Sequence, residues 1–306
     1  MSQTDEDVGV LRDVIGDLKK TRNAVILAHF YQRPAVQLLA DFTGDSLDLS
    51  RRAAETDARV IVFCGVRFMA ETAAILCPDK TVLLPEKSAG CPLADMATAE
   101  QVRARRSELP ADTAVVSYVN SSAEVKAESD ACCTSANAVQ VVNSLPQRHV
   151  LFVPDRNLAS YVAEQTDKDI IAWDGYCYVH DPNIHPDAIK DLKQLHPHAA
   201  AMVHPECSRA TRRLADFVGS TGQMLAYASA SERQSFIVGT EEGMVHALQM
   251  REPRKQFYAT GSVCASMRLI TPRSIRHALD RMKDVVIVSD EVRERARAAL
   301  DRMLNA

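Results

Sequence analysis

Ala24-Val25-Ile26-Leu27-Ala28-His29-Phe30-Tyr31 is an apolar run that ends in polar rings. Such a run, bounded by polar residues, reads as a strand buried on both faces, the kind a parallel sheet uses. The pattern recurs. Ala114-Val115-Val116 leads into Tyr118 and Asn120, and Ala200-Ala201-Met202-Val203 leads into His204 and Glu206. A hydroxyl-bearing turn follows each time: Gly44-Asp45-Ser46, Cys133-Thr134-Ser135 and Gly219-Ser220-Thr221. A second apolar strand comes next, at Val60-Ile61-Val62-Phe63, Val150-Leu151-Phe152-Val153 and Phe236-Ile237-Val238, and beyond it a cysteine. Cys91, Cys177 and Cys264 stand 86 and 87 residues apart; Ser46, Ser135 and Thr221 stand 89 and 86 apart. Four markers sharing one period argue for internal repetition.

Strand-like runs alternate with helix-like segments, which predicts an α/β fold of βαβ units with small parallel sheets. Helices are expected over 7–21, 46–55, 68–76, 99–107, 135–143, 158–165, 186–195, 208–217 and 242–250, with a long C-terminal stretch from Thr271. Three repeats are expected, over 22–108, 109–196 and 197–270, the first completed by helices from 1–21 and 271–306. Open α/β sheets bind ligands beyond the carboxyl ends of their strands. Three such domains around a pseudo-threefold axis would bring those ends to one central junction.

Composition narrows the class. The 306 residues are 46% hydrophobic and 25% charged, ample for packed cores. A net charge of −4 gives no basic footprint for nucleic acid. No apolar run approaches the roughly 20 residues that span a bilayer. The start, Met1-Ser2-Gln3-Thr4-Asp5-Glu6-Asp7, has no signal-peptide profile, so a cytoplasmic protein with reduced thiols is expected. Metal binding or burial must then account for eight cysteines. Cys64 and Cys77 are expected in the core, Cys132 and Cys133 packed at a helix start, and Cys207 packed near the strand-end residues.

Three thiolates distant in sequence could bind zinc or iron–sulfur. Structural zinc asks for a fourth protein ligand and tends to use local C-x₂₋₄-C pairs, which this chain lacks. A [4Fe-4S] cube on three cysteines leaves one iron without a protein ligand, able to act as a Lewis acid. Ser46, Ser135 and Thr221 are read at helix starts, where at least one is expected to be an N-cap. Exposed helix N-termini also bind anions, so three around one cavity would suit a polyanionic substrate. His29 and His204 gain weight from their shared strand-end position. Glu206 is a candidate general base, and Tyr31 and Tyr118 can donate hydrogen bonds or relay protons.

An ordered set of segments carries a family resemblance. It comprises Leu27-Ala28-His29-Phe30-Tyr31-Gln32, Gly44-Asp45-Ser46-Leu47, Phe63-Cys64-Gly65-Val66, Phe68-Met69-Ala70-Glu71-Thr72, Ala89-Gly90-Cys91-Pro92-Leu93-Ala94-Asp95, Tyr118-Val119-Asn120 and Cys133-Thr134-Ser135. It continues through Gly175-Tyr176-Cys177-Tyr178-Val179-His180, His204-Pro205-Glu206-Cys207, Val218-Gly219-Ser220-Thr221 and Cys264-Ala265-Ser266-Met267. This set resembles quinolinate synthase, the iron–sulfur enzyme family of de novo NAD biosynthesis.

The resemblance implies three α/β/α sandwich domains around a central [4Fe-4S] cluster. It implies condensation of iminoaspartate with dihydroxyacetone phosphate to quinolinate, with phosphate and water released. It implies Cys91, Cys177 and Cys264 as cluster ligands. It implies His29, Ser46, Tyr118, Val119, Asn120, Ser135, His204, Pro205, Glu206 and Thr221 as the iminoaspartate-binding set. Tyr31 would be the mobile catalytic tyrosine, with Ser220 and His180 as secondary contacts. A functional link to an L-aspartate oxidase or aspartate dehydrogenase would supply iminoaspartate. The chain departs from the family pattern at Arg67, where many relatives have histidine, and at Ala265-Ser266, where Pro-Asn is commoner. Another three-cysteine [4Fe-4S] dehydratase, a non-enzymatic iron–sulfur sensor and a zinc hydrolase are the competing readings.

Overall fold

In a computed structural model, which describes residues 3–306, the apolar runs become the inner strands of three four-stranded sheets. Met1 and Ser2 of the acidic start lie outside the described residues. The first sheet holds β1 (Ala24–His29), β2 (Phe42–Gly44), β3 (Val60–Cys64) and β4 (Thr81–Leu83). The second holds β5 (Ala114–Tyr118), β6 (Ala131–Cys133), β7 (His149–Val153) and β8 (Asp169–Ala172). The third holds β9 (Ala200–Val203), β10 (Phe217–Val218), β11 (Ser235–Gly239) and β12 (Gln256–Ala259). The orders are β2-β1-β3-β4, β6-β5-β7-β8 and β10-β9-β11-β12, with every neighbouring pair parallel. The α/β expectation with small parallel sheets therefore holds.

Packing divides the chain into two units: one holds the chain up to Cys91 with Ala265–Ser289, the other Pro92–Cys264 with Asp290–Ala306. In the first, the helix Pro272–Arg281 packs on the helix Gln3–Arg22 and on β3. In the second, the helix Asp290–Asn305 packs on the helix Ala123–Ala127 and on β6. Arg295 meets Glu128 there at 2.9 Å, and Asn137 Nδ2 donates to the Met303 carbonyl at 2.9 Å. The stretch from Thr271 is thus two helices, the first ending where Met282 takes a left-handed conformation (φ 48°). Among the described residues no helix is long and apolar enough to cross a membrane.

Two local expectations give way. The helix foreseen over 208–217 is only Arg209–Arg212, and Phe217–Val218 is strand. Cys132 and Cys133 lie on β6 rather than at a helix start. The helix Asp290–Asn305 covers that strand, so a short polar-flanked segment is fully buried by a partner far along the chain.

Two further devices repeat with the same period. Asp41, Asp130 and Asp216 each accept the N–H of a first-strand residue (Ile26, Val115, Ala201) at 2.8 Å through one carboxylate oxygen. Their own N–H groups return to the carbonyls of those same residues at 2.9, 2.8 and 2.7 Å, which pins each second strand in register. Lys80, Lys168 and Lys255 donate to the carbonyls that end a helix: Ala53 and Thr56, Leu145 and Gln147, Ala228 and Ser231. A cation on orphan helix carbonyls satisfies them and complements the helix dipole. Replacing any one of these lysines with methionine should lower unfolding free energy by about 1–3 kcal/mol. Chemical denaturation checks this, and a loss confined to one lysine would show that the three are not equivalent.

Candidate functional site

The first unit carries His29, Tyr31, Ser46 and Cys91. His29 closes β1 and is buried; its Nδ1 accepts the Tyr31 N–H at 3.2 Å, and the Tyr31 ring stands edge-on at 4.5 Å between centroids. A backbone donor on Nδ1 leaves the proton of the neutral ring on Nε2. Gln37 Nε2 holds the intervening turn by donating to the carbonyls of Phe30 and Gln32 at 2.8 and 2.9 Å.

The second unit repeats this turn. His204 follows β9, and its Nδ1 accepts the Glu206 N–H at 3.2 Å. Its Nε2 then lies 3.1 Å from Ser135 Oγ, placed to donate in the neutral form. Glu206 is the hub of a buried network. Its Oε1 accepts from the Tyr118 hydroxyl at 2.5 Å and from Asn120 Nδ2 at 3.4 Å. Its Oε2 lies 2.8 Å from His180 Nδ1, whose Nε2 in turn lies 2.8 Å from Thr240 Oγ1. An ionised carboxylate only accepts, so His180 Nδ1 carries a proton and the Thr240 hydroxyl can donate to Nε2. The His180 and His204 rings stack at 4.5 Å.

Burial alone would raise the Glu206 pKa. The two imidazoles, with the hydrogen bonds from His180 and Tyr118, outweigh burial and hold it below the usual glutamate value. The result is a water-excluded carboxylate that stays ionised at neutral pH and is wired to two rings and a phenol. Asn120 Oδ1 is buried without a hydrogen-bond partner, an acceptor open to a donor from outside the protein. Val119 N donates to the Cys133 carbonyl at 2.9 Å. The buried Arg212 guanidinium ties down the Pro205 turn through the carbonyls of Pro205, Cys207 and Asn157 at 3.4, 2.8 and 3.1 Å.

The hydroxyl turns differ from the expectation that one would be a cap. Asp45 caps the helix Ser46–Glu55, accepting from Leu47 N and Asp48 N at 3.0 Å. Ser220 caps the helix Thr221–Ala230. Ser135 precedes its helix by three residues, and its hydroxyl meets His204 instead. Asp45 and Ser220 cap two of these helices and the helix Ala138–Ser144 has no side-chain cap, so Ser46, Ser135 and Thr221 are not spent on capping.

The eight cysteines separate by environment. Cys64, Cys77, Cys132, Cys133 and Cys207 are buried, whereas Cys91, Cys177 and Cys264 are half-exposed. Burial pushes the thiols of Cys64, Cys132, Cys133 and Cys207 above the ordinary value, which keeps them protonated and poor ligands. Each half-exposed cysteine follows the fourth strand of its sheet. The Cys177 sulfur, a His180 nitrogen and a Glu206 oxygen lie within 4.8 Å of one another, a group able to hold a metal ion.

The sequence reading missed Thr240, Arg212, Asp155 and Glu241. Asp155 is fully buried. Burial first, then the Glu206 charge, push its carboxyl well above the usual aspartate value, against backbone N–H groups of Leu158, Cys177 and Asn157. For Asp155 and Glu241 the available signal was an acidic residue two positions beyond β7 and β11.

Comparison with known proteins is consistent along nearly the whole chain. The family described as "Quinolinate synthetase A protein" (NadA) matches residues 13–305. The quinolinate synthase of Desulforudis audaxviator (strain MP104C) is 53% identical over 293 residues, 95% of this chain and 96% of that protein. That of Methanosarcina barkeri (strain Fusaro) is 52% identical over 292 residues, 95% of each chain. That of Geobacter sp. (strain M21) is 51% identical over 296 residues, 96% of this chain and 97% of that protein.

Proposed function

Because the chain belongs to the quinolinate synthetase A (NadA) family of enzymes, we propose that it condenses iminoaspartate with dihydroxyacetone phosphate, forming quinolinate and releasing phosphate and two waters. In this reading Cys91, Cys177 and Cys264 hold a [4Fe-4S] cluster, and the repeats run over 22–108, 109–196 and 197–270. One observation carries it: the three cysteines that share the repeat period are the three that remain half-exposed, while the other five are buried. Three accessible thiols suit a cluster that needs thiolates, and such a cluster supplies a Lewis acid on the iron that no protein group ligates.

The protein's own groups handle binding and protons. The two carboxylates of iminoaspartate call for donors, which Ser46, Ser135, Thr221, His29, His204 and the Tyr118-Val119-Asn120 turn can offer. Asn120 Oδ1, buried and without a partner, suits a nitrogen-bound hydrogen of the substrate. Glu206 serves as general base through its oxygens, and His180 and Tyr118, hydrogen-bonded to those oxygens, carry the proton onward so that the carboxylate is restored. Tyr31 closes over the bound substrate and moves a proton, its backbone N–H anchored on His29. The supplier of unstable iminoaspartate would be an L-aspartate oxidase or an aspartate dehydrogenase.

The test is product analysis on anaerobically purified protein together with iron and sulfide counts and a visible spectrum. Quinolinate formed only by iron-loaded protein supports the reading. Quinolinate from aerated, iron-free protein would remove the Lewis-acid role. The Cys177–His180–Glu206 group favours a single-metal site as the second reading, and one zinc per chain without sulfide would select it.

A further inference from the structure

We propose that Asp155 and Glu241 are positioning residues for Cys177 and Cys264, each holding its cysteine's backbone N–H with one carboxylate oxygen while the other oxygen anchors a helix start. The proposal rests on the reading of these cysteines as cluster ligands. It begins from a contact that all three repeats share. Arg67 N donates to the Ala89 carbonyl at 2.8 Å, Arg156 N to Gly175 at 2.8 Å, and Glu242 N to Ser262 at 2.9 Å. Each acceptor lies two residues before the cysteine of its repeat. The chain beyond the third strand thus clamps every cysteine loop through backbone.

The residue just before that donor differs between repeats: Val66, Asp155 and Glu241. Asp155 Oδ1 accepts Leu158 N at 2.7 Å and its Oδ2 accepts Cys177 N at 3.2 Å. Glu241 Oε2 accepts Gly243 N at 2.6 Å and its Oε1 accepts Cys264 N at 3.4 Å. Both side chains are fully buried. Helix capping needs one oxygen, and any of several small polar residues supplies it. Burying a whole carboxylate is costly, and here the second oxygen goes to the cysteine each time. The consequence is that the Cys177 and Cys264 loops are each pinned at two points. Groups that orient a metal ligand in this way typically change metal affinity by about 10–100-fold when altered.

The substitutions are Asp155→Asn, Asp155→Ser and Glu241→Gln. Each keeps one oxygen for the helix N–H and removes the acceptor facing the cysteine. The protein is purified anaerobically and the rate of iron release to a chelator is followed by the visible absorption of the cluster. Melting of the iron-free protein is measured in parallel. Each residue is judged by itself. An iron-free variant that melts with the parent but releases iron about tenfold faster or more supports its assignment. A smaller acceleration overturns it, and so does an acceleration seen only where the iron-free fold is also lost. A parent protein that carries neither iron nor sulfide would instead bring down the cluster reading and this one together.

Discussion

Alanine at Cys91, Cys177 or Cys264 is expected to give a folded chain that retains little iron and makes almost no quinolinate. The half-exposed setting of these residues means that removing the sulfur leaves no sizeable cavity, so unfolding free energy of the iron-free chain should change by less than about 1 kcal/mol. Losing a ligand outright should exceed the roughly 10–100-fold penalty of losing a group that merely orients one. Turnover is therefore expected to fall by more than about 100-fold, with iron and sulfide falling together. Cys207→Ala is the contrasting variant. That thiol is buried and donates to the Gly239 carbonyl at 3.6 Å, so its loss should affect stability rather than iron content. Full iron and full turnover in any one of the three period-sharing variants would remove that residue from the ligand set.

Glutamine at position 206 is expected to lower turnover by about 10²–10⁴-fold, the usual contribution of a positioned acid–base group, with the cluster intact. The amide nearly preserves shape but offers one acceptor oxygen where the carboxylate offers two. Tyr118 and His180 approach different oxygens, at 2.5 and 2.8 Å, so one of these donors must face an NH₂. The imidazole then has to change tautomer or turn from Thr240, and the proton path breaks. Visible absorption separates this variant from the cysteine variants: normal spectrum here, bleached spectrum there. Near-normal turnover would take Glu206 out of the mechanism.

The two effects are ordered by what remains. A protein without the base keeps its bound metal and its binding groups, whereas one without a thiolate ligand loses the centre on which the proposed chemistry depends.

Much of the fold was legible because inner strands of a parallel sheet are buried on both faces and must be apolar throughout. β1, β3, β5, β7, β9 and β11 all announce themselves in this way. The edge strands did not. β8 and β12 have no buried residue and β10 has two residues in all, so neither apolar runs nor alternation mark them. The Asp41, Asp130, Asp216 and Lys80, Lys168, Lys255 series were in the sequence with the right period. They escaped because surface-type residues carry no signal until their backbone partners are known. The hydroxyl turns were found, but their capping role was misassigned, since Asp45 and Ser220 stand one residue earlier and chain geometry alone selects which of two neighbours caps.

By itself the amino-acid order determined the threefold period, the central strands, the strand-end polar residues and the three cysteines in step with them. Burial on two faces and a repeated unit both leave marks that survive in one dimension. Only the tertiary structure decided which of eight thiols stay accessible and how Glu206 is partnered. Its contacts arrive from positions 88, 86 and 26 residues away. Whether a carboxylate is ionised, oriented and dry depends on such distant neighbours, which are chosen by how sheets and loops pack.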